Sequence, residues 1–185
     1  MEKAELNKSM HLSEHITLGE VTKTSVKTAD GNIPSHVAIE NLKNLCENWL
    51  EDLRYSYNTL YPSCHREGTP VMSSVVETSH EISPCASLSR DDNPIIISSG
   101  YRSPEVNRAV GGSPTSNHLT GCAVDIRCAG FEQALRYANI LMDISDGTKL
   151  DYDELFIERN KQGRYWIHFA VRPKDNRRKT AFILT

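Results

Sequence analysis

Long apolar runs are scarce in this 185-residue sequence, and the most apolar stretches, such as residues 94–97, span only a few positions. A helix that crosses a bilayer needs about 18 apolar residues, so we expect no membrane-spanning segment and no membrane partner. Glycine and proline are also sparse, at 10 and 8 residues, beside 38% hydrophobic and 24% charged residues. This composition excludes collagen-like, coiled-coil and wholly disordered chains and is typical of a globular domain.

The sequence has no strong charge of one sign, and no secretory leader is visible in it. Its formal net charge is -3 and its pI is near 6.2. Because surfaces that bind nucleic acid broadly are strongly basic, we expect no nucleic-acid partner. The first residues mix charges and no apolar h-region follows them, so no signal peptide is visible and we expect the export route not to be encoded in this sequence.

Cysteines are few and do not form a closely spaced ladder. The five are Cys46, Cys64, Cys85, Cys122 and Cys128. An odd count, in a chain long enough to bury a core without covalent staples, favours reduced thiols. A disulfide between Cys64 and Cys85 is the one exception that the pattern leaves open.

The length fits a single domain, and the order of the predicted elements indicates its class. An N-terminal arm (about 1–33) precedes a helix over residues 35–54, and a Ser-, Pro- and Thr-rich excursion follows at about 55–93. Further elements are a buried strand at 95–99, a short helix from Ser103 and Pro104, a Gly-rich loop at 111–117, a strand at 122–126, a helix at 131–144, and strands at 154–158, 165–171 and 180–184. This order predicts an α+β domain with helices packed against a mainly antiparallel sheet.

Three side chains are the main candidates for chemistry. His118 follows the Gly-rich loop, Asp125 interrupts an apolar strand seven residues later, and His168 lies within a second apolar strand. Such a carboxylate is costly to bury unless it is paired or binds a metal. Two imidazoles and a carboxylate with a fourth position left to water are the donors of a catalytic zinc site, whereas each residue alone is equally well a hydrogen-bonded core residue.

Four motifs add a family resemblance. They are SGYRS at 99–103, VGGS at 110–113, SNHLTGCAVD at 116–125 and WIH at 166–168. Together they resemble the signature of the zinc D-alanyl-D-alanine carboxypeptidase family of peptidoglycan peptidases. The resemblance is close over 94–171 and looser over 12–54, and the excursion resembles an insertion.

The resemblance implies a fold like that of hedgehog domains and D-Ala-D-Ala peptidases. It implies that His118, Asp125 and His168 bind zinc, that Arg102 and Ser116 face the substrate or the developing oxyanion, and that Trp166 contacts substrate. The implied reaction is hydrolysis of an amide bond in peptidoglycan stem peptides, by a D-Ala-D-Ala carboxypeptidase or a stem-peptide endopeptidase. We expect a monomer that acts on the bacterial cell wall, either as a phage endolysin or as a bacterial enzyme.

The general base departs from the family pattern. Many members of the family carry an acidic residue three positions before the last zinc histidine, and Tyr165 occupies that position here. Glu158 is the nearest substitute. In an antiparallel hairpin the numbers of paired residues have a constant sum. A sum of 324 pairs Glu158 with Trp166 and puts it on the face of His168, whereas a sum of 323 puts it behind the sheet.

Two other interpretations stay open. Without an acid at Tyr165 the domain is also interpretable as a catalytically inactive, zinc-bearing module that binds cell wall or protein. Cys122 and Cys128 flank Asp125 and permit a closed structural site with the two histidines, although strand alternation directs both thiols away from Asp125. A basic cluster at 172–179 is most simply a solvated turn.

Overall fold

The computed structural model describes residues 7–29, 31–62 and 94–185. The predicted Cys64–Cys85 disulfide and most of the predicted excursion lie outside these residues. The helices are α1 (Leu18–Val21), α2 (His36–Leu45), a π-helical turn (Cys46–Leu50), α3 (Glu51–Leu60), α4 (Pro104–Ala109), a 3₁₀ helix (Asn117–Thr120) and α5 (Phe131–Thr148). The strands are β1 (Ile97–Ser99), β2 (Ala123–Cys128), β3 (Glu154–Arg159), β4 (Tyr165–Ala170) and β5 (Lys179–Leu184).

These strands form one five-stranded sheet in the order β1-β2-β4-β3-β5. The pairs β1–β2, β2–β4 and β3–β4 are antiparallel, and β5 runs parallel to β3 at the other edge. The predicted α+β class with a mainly antiparallel sheet is therefore confirmed. The parallel strand β5 is the one departure from antiparallel order in the described sheet.

The long helical segment starts where the sequence predicts and ends later. The Ser35 side chain accepts a hydrogen bond from the backbone N–H of Ala38, as an N-cap does. The predicted end was near Arg54, but α3 continues to Leu60. Tyr57 explains the extension. It is buried one turn beyond the core residue Leu53, and its ring packs edge-on against Tyr137 of α5 with centroids 4.8 Å apart.

The helices cover one face of the sheet and leave the other for polar residues. Trp49 lies at the centre of the packed layer, with its ring 5.1 Å from that of Phe169 on β4. The strand residues buried on this face are Val124, Ile126, Cys128, Leu155, Ile167 and Phe169. Because side chains alternate along a strand, the residues between them project from the opposite face.

For one strand, the predicted burial was wrong. The apolar run at 95–99 was predicted to be a buried strand, but β1 has three residues and lies at the edge of the sheet. Ile96 is 50% exposed. An edge strand is covered by a neighbour on one side only, which is β2 here, so an apolar run alone does not indicate burial.

Two glycines allow close packing beside the polar face. A Cβ on Gly100 would lie 2.3 Å from the carbonyl oxygen of Val21 in α1, and a Cβ on Gly121 would lie 2.3 Å from that of Ala38 in α2. Gly121 also has a left-handed φ of 72° where it ends the 3₁₀ helix. These close approaches place the segment after β1 against α1 and the end of the 3₁₀ helix against α2.

Candidate metal centre

Strand pairing brings Asp125 and His168 together. The two residues are directly opposite each other in the β2–β4 ladder, so their side chains leave the same face of the sheet. Nδ1 of His168 is 2.9 Å from Oδ1 of Asp125. The register of two neighbouring strands thus brings together two residues that are 43 positions apart in the sequence.

His118 reaches the same point from the 3₁₀ helix. Ser116 caps this helix, because its hydroxyl accepts a hydrogen bond from the His118 N–H at 3.3 Å. The imidazole is buried, with Nε2 3.2 Å from Oδ1 of Asp125 and Nδ1 2.6 Å from the carbonyl oxygen of Gly100. That carbonyl fixes the ring so that Nε2 faces the carboxylate.

The donor atoms of these three residues fit a divalent cation. Among the described residues, His118, Asp125 and His168 form the one group able to hold a metal, and their donor atoms lie within 4.8 Å of one another. Two neutral imidazole nitrogens and one carboxylate oxygen match the donor set of a catalytic zinc site, which leaves a fourth position for water or substrate. The chemistry of the residues therefore fits zinc.

Electrostatics also bind the three groups together. Burial favours a higher pKa for the Asp125 carboxyl, but the neighbouring His118 and His168 outweigh burial and hold that pKa well below its ordinary value. Burial lowers the pKa of His168, but hydrogen bonds to Asp125 and Glu154 outweigh it and raise the pKa to about 9. In the metal-free site His168 therefore carries a proton at neutral pH. A metal binds the lone pair of an unprotonated nitrogen, so this proton must leave when the metal binds.

Arg102 and Ser116 are both found beside the metal-binding group. Nη2 of Arg102 lies 2.5 Å from Oδ2 of Asp125, and its Nε donates to Oγ of Ser99 at 2.8 Å. Arg102 therefore binds the carboxylate oxygen that the histidines do not use. Ser116 is half-buried and caps the helix of His118, so both residues support the donors directly, and their contacts with substrate remain predictions.

The β3–β4 register decides where Glu158 lies. Glu158 pairs with Trp166 and Phe156 pairs with His168, so the sum is 324, the register that puts Glu158 on the face of His168. Paired positions two residues apart are separated by roughly 7 Å along a strand, a distance that a glutamate side chain spans in part. Burial raises the pKa of the half-buried Glu158 carboxyl and outweighs the lowering effect of His168.

Tyr165 lies on the other side of the sheet. Its ring packs against Phe131 of α5, with centroids 5.6 Å apart, and joins the core. Position 165 is an odd number of residues from His168 in a regular strand, so any side chain there points away from the metal-binding group. In this chain, position 165 therefore contributes to the core and not to the face that carries the metal-binding group.

The two cysteines near Asp125 do not join the site. Cys122 and Cys128 are free, buried thiols, and neither belongs to the group able to hold a metal. Burial raises the pKa of Cys128 to about 12, which opposes the thiolate form that zinc binds. Among the described residues the donors are those of an open site and not of a closed His/Cys site.

The sequence reasoning missed a polar network next to the donors. Asp153 is fully buried and pairs with Arg172 and Arg177, and Glu154 pairs with Arg177 and accepts from Asn117. The segment 172–179 is mostly exposed, as predicted for a solvated turn, but Arg172 and Arg177 within it also pair with the buried Asp153. The adjacent Asp153 and Glu154, at the start of a strand and with a basic cluster further on, were the available signal.

The donor set of this centre is of the kind found in metal-dependent hydrolases, with three protein ligands and one open position. Residues 63–152 match the model of the family described as Peptidase M15, and His118 and Asp125 fall within the match while His168 follows it. Over these residues the chain is similar to the Peptidase M15 family, the family of zinc D-Ala-D-Ala carboxypeptidases. A search of curated proteins found no match. No helix in the described parts of the chain has the length and apolar character to cross a membrane.

Proposed function

We propose that this protein hydrolyses an amide bond in the stem peptides of peptidoglycan, with one zinc ion held by His118, Asp125 and His168. The observation that carries the proposal is the convergence of these three donors at one carboxylate oxygen, on the sheet face that also carries Glu158. The match to the Peptidase M15 family model supports the peptidase activity. The stem-peptide substrate follows from the resemblance to D-Ala-D-Ala carboxypeptidases.

Glu158 is the residue suited to move protons in this reaction. When bound, zinc supplies a Lewis acid that activates water and polarises the amide carbonyl. Glu158 accepts the proton released as water attacks the carbonyl carbon and delivers it to the leaving amine nitrogen. The raised pKa of Glu158 brings this carboxyl closer to neutral pH, where a general base and acid works best.

Arg102 is suited to bind negative charge on the substrate. Its Nε and one Nη are engaged by Ser99 and Asp125, and a guanidinium has further N–H groups in the same plane. These donors stabilise the oxyanion that forms as the amide is attacked, or hold a substrate carboxylate. The half-buried Trp166, on the same sheet face, offers an aromatic surface beside Glu158 for the rest of the peptide.

Digestion of purified muropeptides tests metal, reaction and bond in one experiment. The protein is assayed as purified, after removal of metal with a chelator, and after stoichiometric zinc is restored, and the products are identified by mass spectrometry. We expect cleavage in the first and third samples and none in the second. Release of alanine alone identifies a carboxypeptidase, and two peptide fragments identify an endopeptidase.

The binding-module interpretation makes the opposite prediction for the same assay. A protein that retains one zinc per chain, binds stem peptides and cleaves no muropeptide would overturn the proposed hydrolysis. Cleavage that is unaffected by complete metal removal would overturn the role of zinc.

A further inference from the structure

Glu154 contacts the ring nitrogen of His168 that faces away from the other donors. Nδ1 of His168 points to Asp125, and Nε2 lies 3.5 Å from Oε2 of Glu154. Glu154 is on the same sheet face because it is two residues before Phe156, the cross-strand partner of His168. The imidazole therefore lies between two carboxylates, one at the metal-binding group and one behind it.

The Glu154 carboxylate is itself held from two sides. Asn117, the neighbour of His118, donates from Nδ2 to Oε2 of Glu154 at 3.1 Å. Nη2 of Arg177 donates to Oε1 at 2.7 Å. Each oxygen of Glu154 thus has a partner that fixes its position, and Glu154 is less free than Glu158 to take a proton from water.

Arg177 is anchored in turn by a carboxylate that solvent does not reach. Its Nε and Nη2 lie 2.8 Å and 2.7 Å from the two oxygens of Asp153, which is fully buried. Asn117 also donates to Oδ2 of Asp153 at 2.9 Å. A bidentate arginine–carboxylate pair fixes both groups in one plane, so the position of Glu154 is set by the start of β3 and by the turn that follows β4.

We propose that Glu154 is a positioning residue that accepts the Nε2–H of His168 and so keeps Nδ1 directed at the metal, with Arg177 holding Glu154 in place. The inference rests on the proposed metal site. An imidazole binds a metal through one nitrogen, and the acceptor at its other nitrogen selects the tautomer and the ring orientation. The Gly100 carbonyl does the same for His118 at Nδ1, so each histidine has an acceptor behind it.

Zinc affinity is the first measurement, and it needs no substrate. The affinities of Glu154→Ala, Glu154→Gln and the unaltered protein are compared by competition with a chromophoric chelator. Loss of an acceptor behind a metal-binding histidine lowers metal affinity by roughly 10- to 100-fold, and we expect this loss in Glu154→Ala. Glu154→Gln keeps a carbonyl oxygen as acceptor but loses the charge, so its affinity should fall between the other two.

Arg177 and Arg178 provide a matched pair of variants. Arg178 is the next residue, is similarly exposed, and pairs with Asp146 and Asp151 instead of with Glu154. Arg177→Gln should weaken zinc binding, whereas Arg178→Gln should leave it unchanged. This pair also decides the question if Glu154→Ala fails to fold. Equal zinc affinity in both arginine variants would overturn the role of Arg177.

The imidazole of His168 gives a second, spectroscopic measurement. In the zinc-loaded protein labelled with ¹⁵N-histidine, we expect Nδ1 of His168 to be bound to metal and Nε2 to carry the proton. In Glu154→Ala this signal should broaden or change tautomer, and in Glu154→Gln it should be restored. Unchanged affinity and an unchanged His168 spectrum in Glu154→Ala would overturn the proposal, whether or not the protein cleaves muropeptides.

Discussion

A single carboxylate, that of Asp125, connects the side chains that the candidate site requires. Its Oδ1 faces both histidine rings, and its Oδ2 accepts from Arg102. Because the two oxygens serve different partners, the arginine fixes the carboxylate without competing for the oxygen between the histidines. Substitution of one of the side chains that contact Asp125 should therefore affect metal binding more than it affects the fold.

His168→Ala tests the donor set. Loss of one of three protein donors should abolish stoichiometric zinc binding, as measured by metal analysis of the purified protein. Stability should fall as well, because Asp125 and Glu154 lose a shared partner. His36→Ala is the control, since His36 is exposed on α2 and its variant should keep the metal. Full zinc occupancy in His168→Ala would contradict the assignment.

The raised pKa of His168 gives a prediction about protons. The metal-free site holds a proton on His168 below about pH 9, and zinc requires that proton to leave. Binding at pH 7 should thus release about one proton from this residue, zinc affinity should rise roughly tenfold per pH unit towards pH 9, and the dependence should end above it. Calorimetric titrations in buffers of different ionisation enthalpy measure the release. An affinity that does not change between pH 7 and 9 would count against it.

Glu158→Gln separates proton transfer from packing, because size and shape are preserved. If Glu158 is the base, the variant keeps zinc and its turnover falls by about 10²- to 10⁴-fold, with binding of a stem-peptide analogue little changed. Glu132→Gln, at an exposed site on α5, serves as the control. Unaltered turnover in Glu158→Gln would show that another group on this face is the general base.

At the scale of the elements, strand alternation separates the site from the core. Along β2, Asp125 belongs to the polar face and its neighbours Val124 and Ile126 to the core, and β3 and β4 continue both faces in register. A shift of one residue in either ladder would move His168 or Glu158 to the helical side. The regular register is thus the structural condition for the proposed chemistry.

The cysteines of this segment provide a test of that alternation. Cys122→Ala and Cys128→Ala should keep both zinc and peptidase activity, because neither thiol belongs to the metal-binding group. Metal analysis and the muropeptide assay measure the two properties. Loss of zinc in either variant, with His36→Ala unaffected, would revive the closed His/Cys site.

At the scale of the whole molecule, the helical layer supports the strands from behind. Trp49 packs against Phe169, which is adjacent in β4 to His168, and against Tyr152, which precedes β3. Packing at this point therefore holds the backbone of the two strands whose outer faces carry His168 and Glu154.

Trp49→Ala should destabilise the fold by about 3–5 kcal/mol, the usual cost of truncating a large buried aromatic side chain. Tyr55→Ala, in the same helical segment but 74% exposed, should change the free energy of unfolding by no more than about 0.5 kcal/mol. Chemical denaturation of the zinc-loaded proteins measures both. A loss below about 1 kcal/mol in Trp49→Ala would show that the core tolerates this cavity.

Local features of the sequence determined the elements and two of the three donors. The Ser35 and Ser103 caps, the apolar stripe of the first helix and the short spacing of His118 and Asp125 are interactions between near neighbours in the chain. Such patterns are readable because helix periodicity, capping and strand alternation depend on a few adjacent residues.

Tertiary structure alone decided which distant residues meet. Packing, and not local pattern, set the β3–β4 register that pairs Glu158 with Trp166. It also set the end of α3 at Leu60 and the anchoring of Arg177 by the buried Asp153. The sequence permitted both registers, and it did not indicate that Arg177 would return to the start of β3. Contacts across 20 or more residues depend on which apolar faces are buried together, and that is settled only when the whole sheet and its helices assemble.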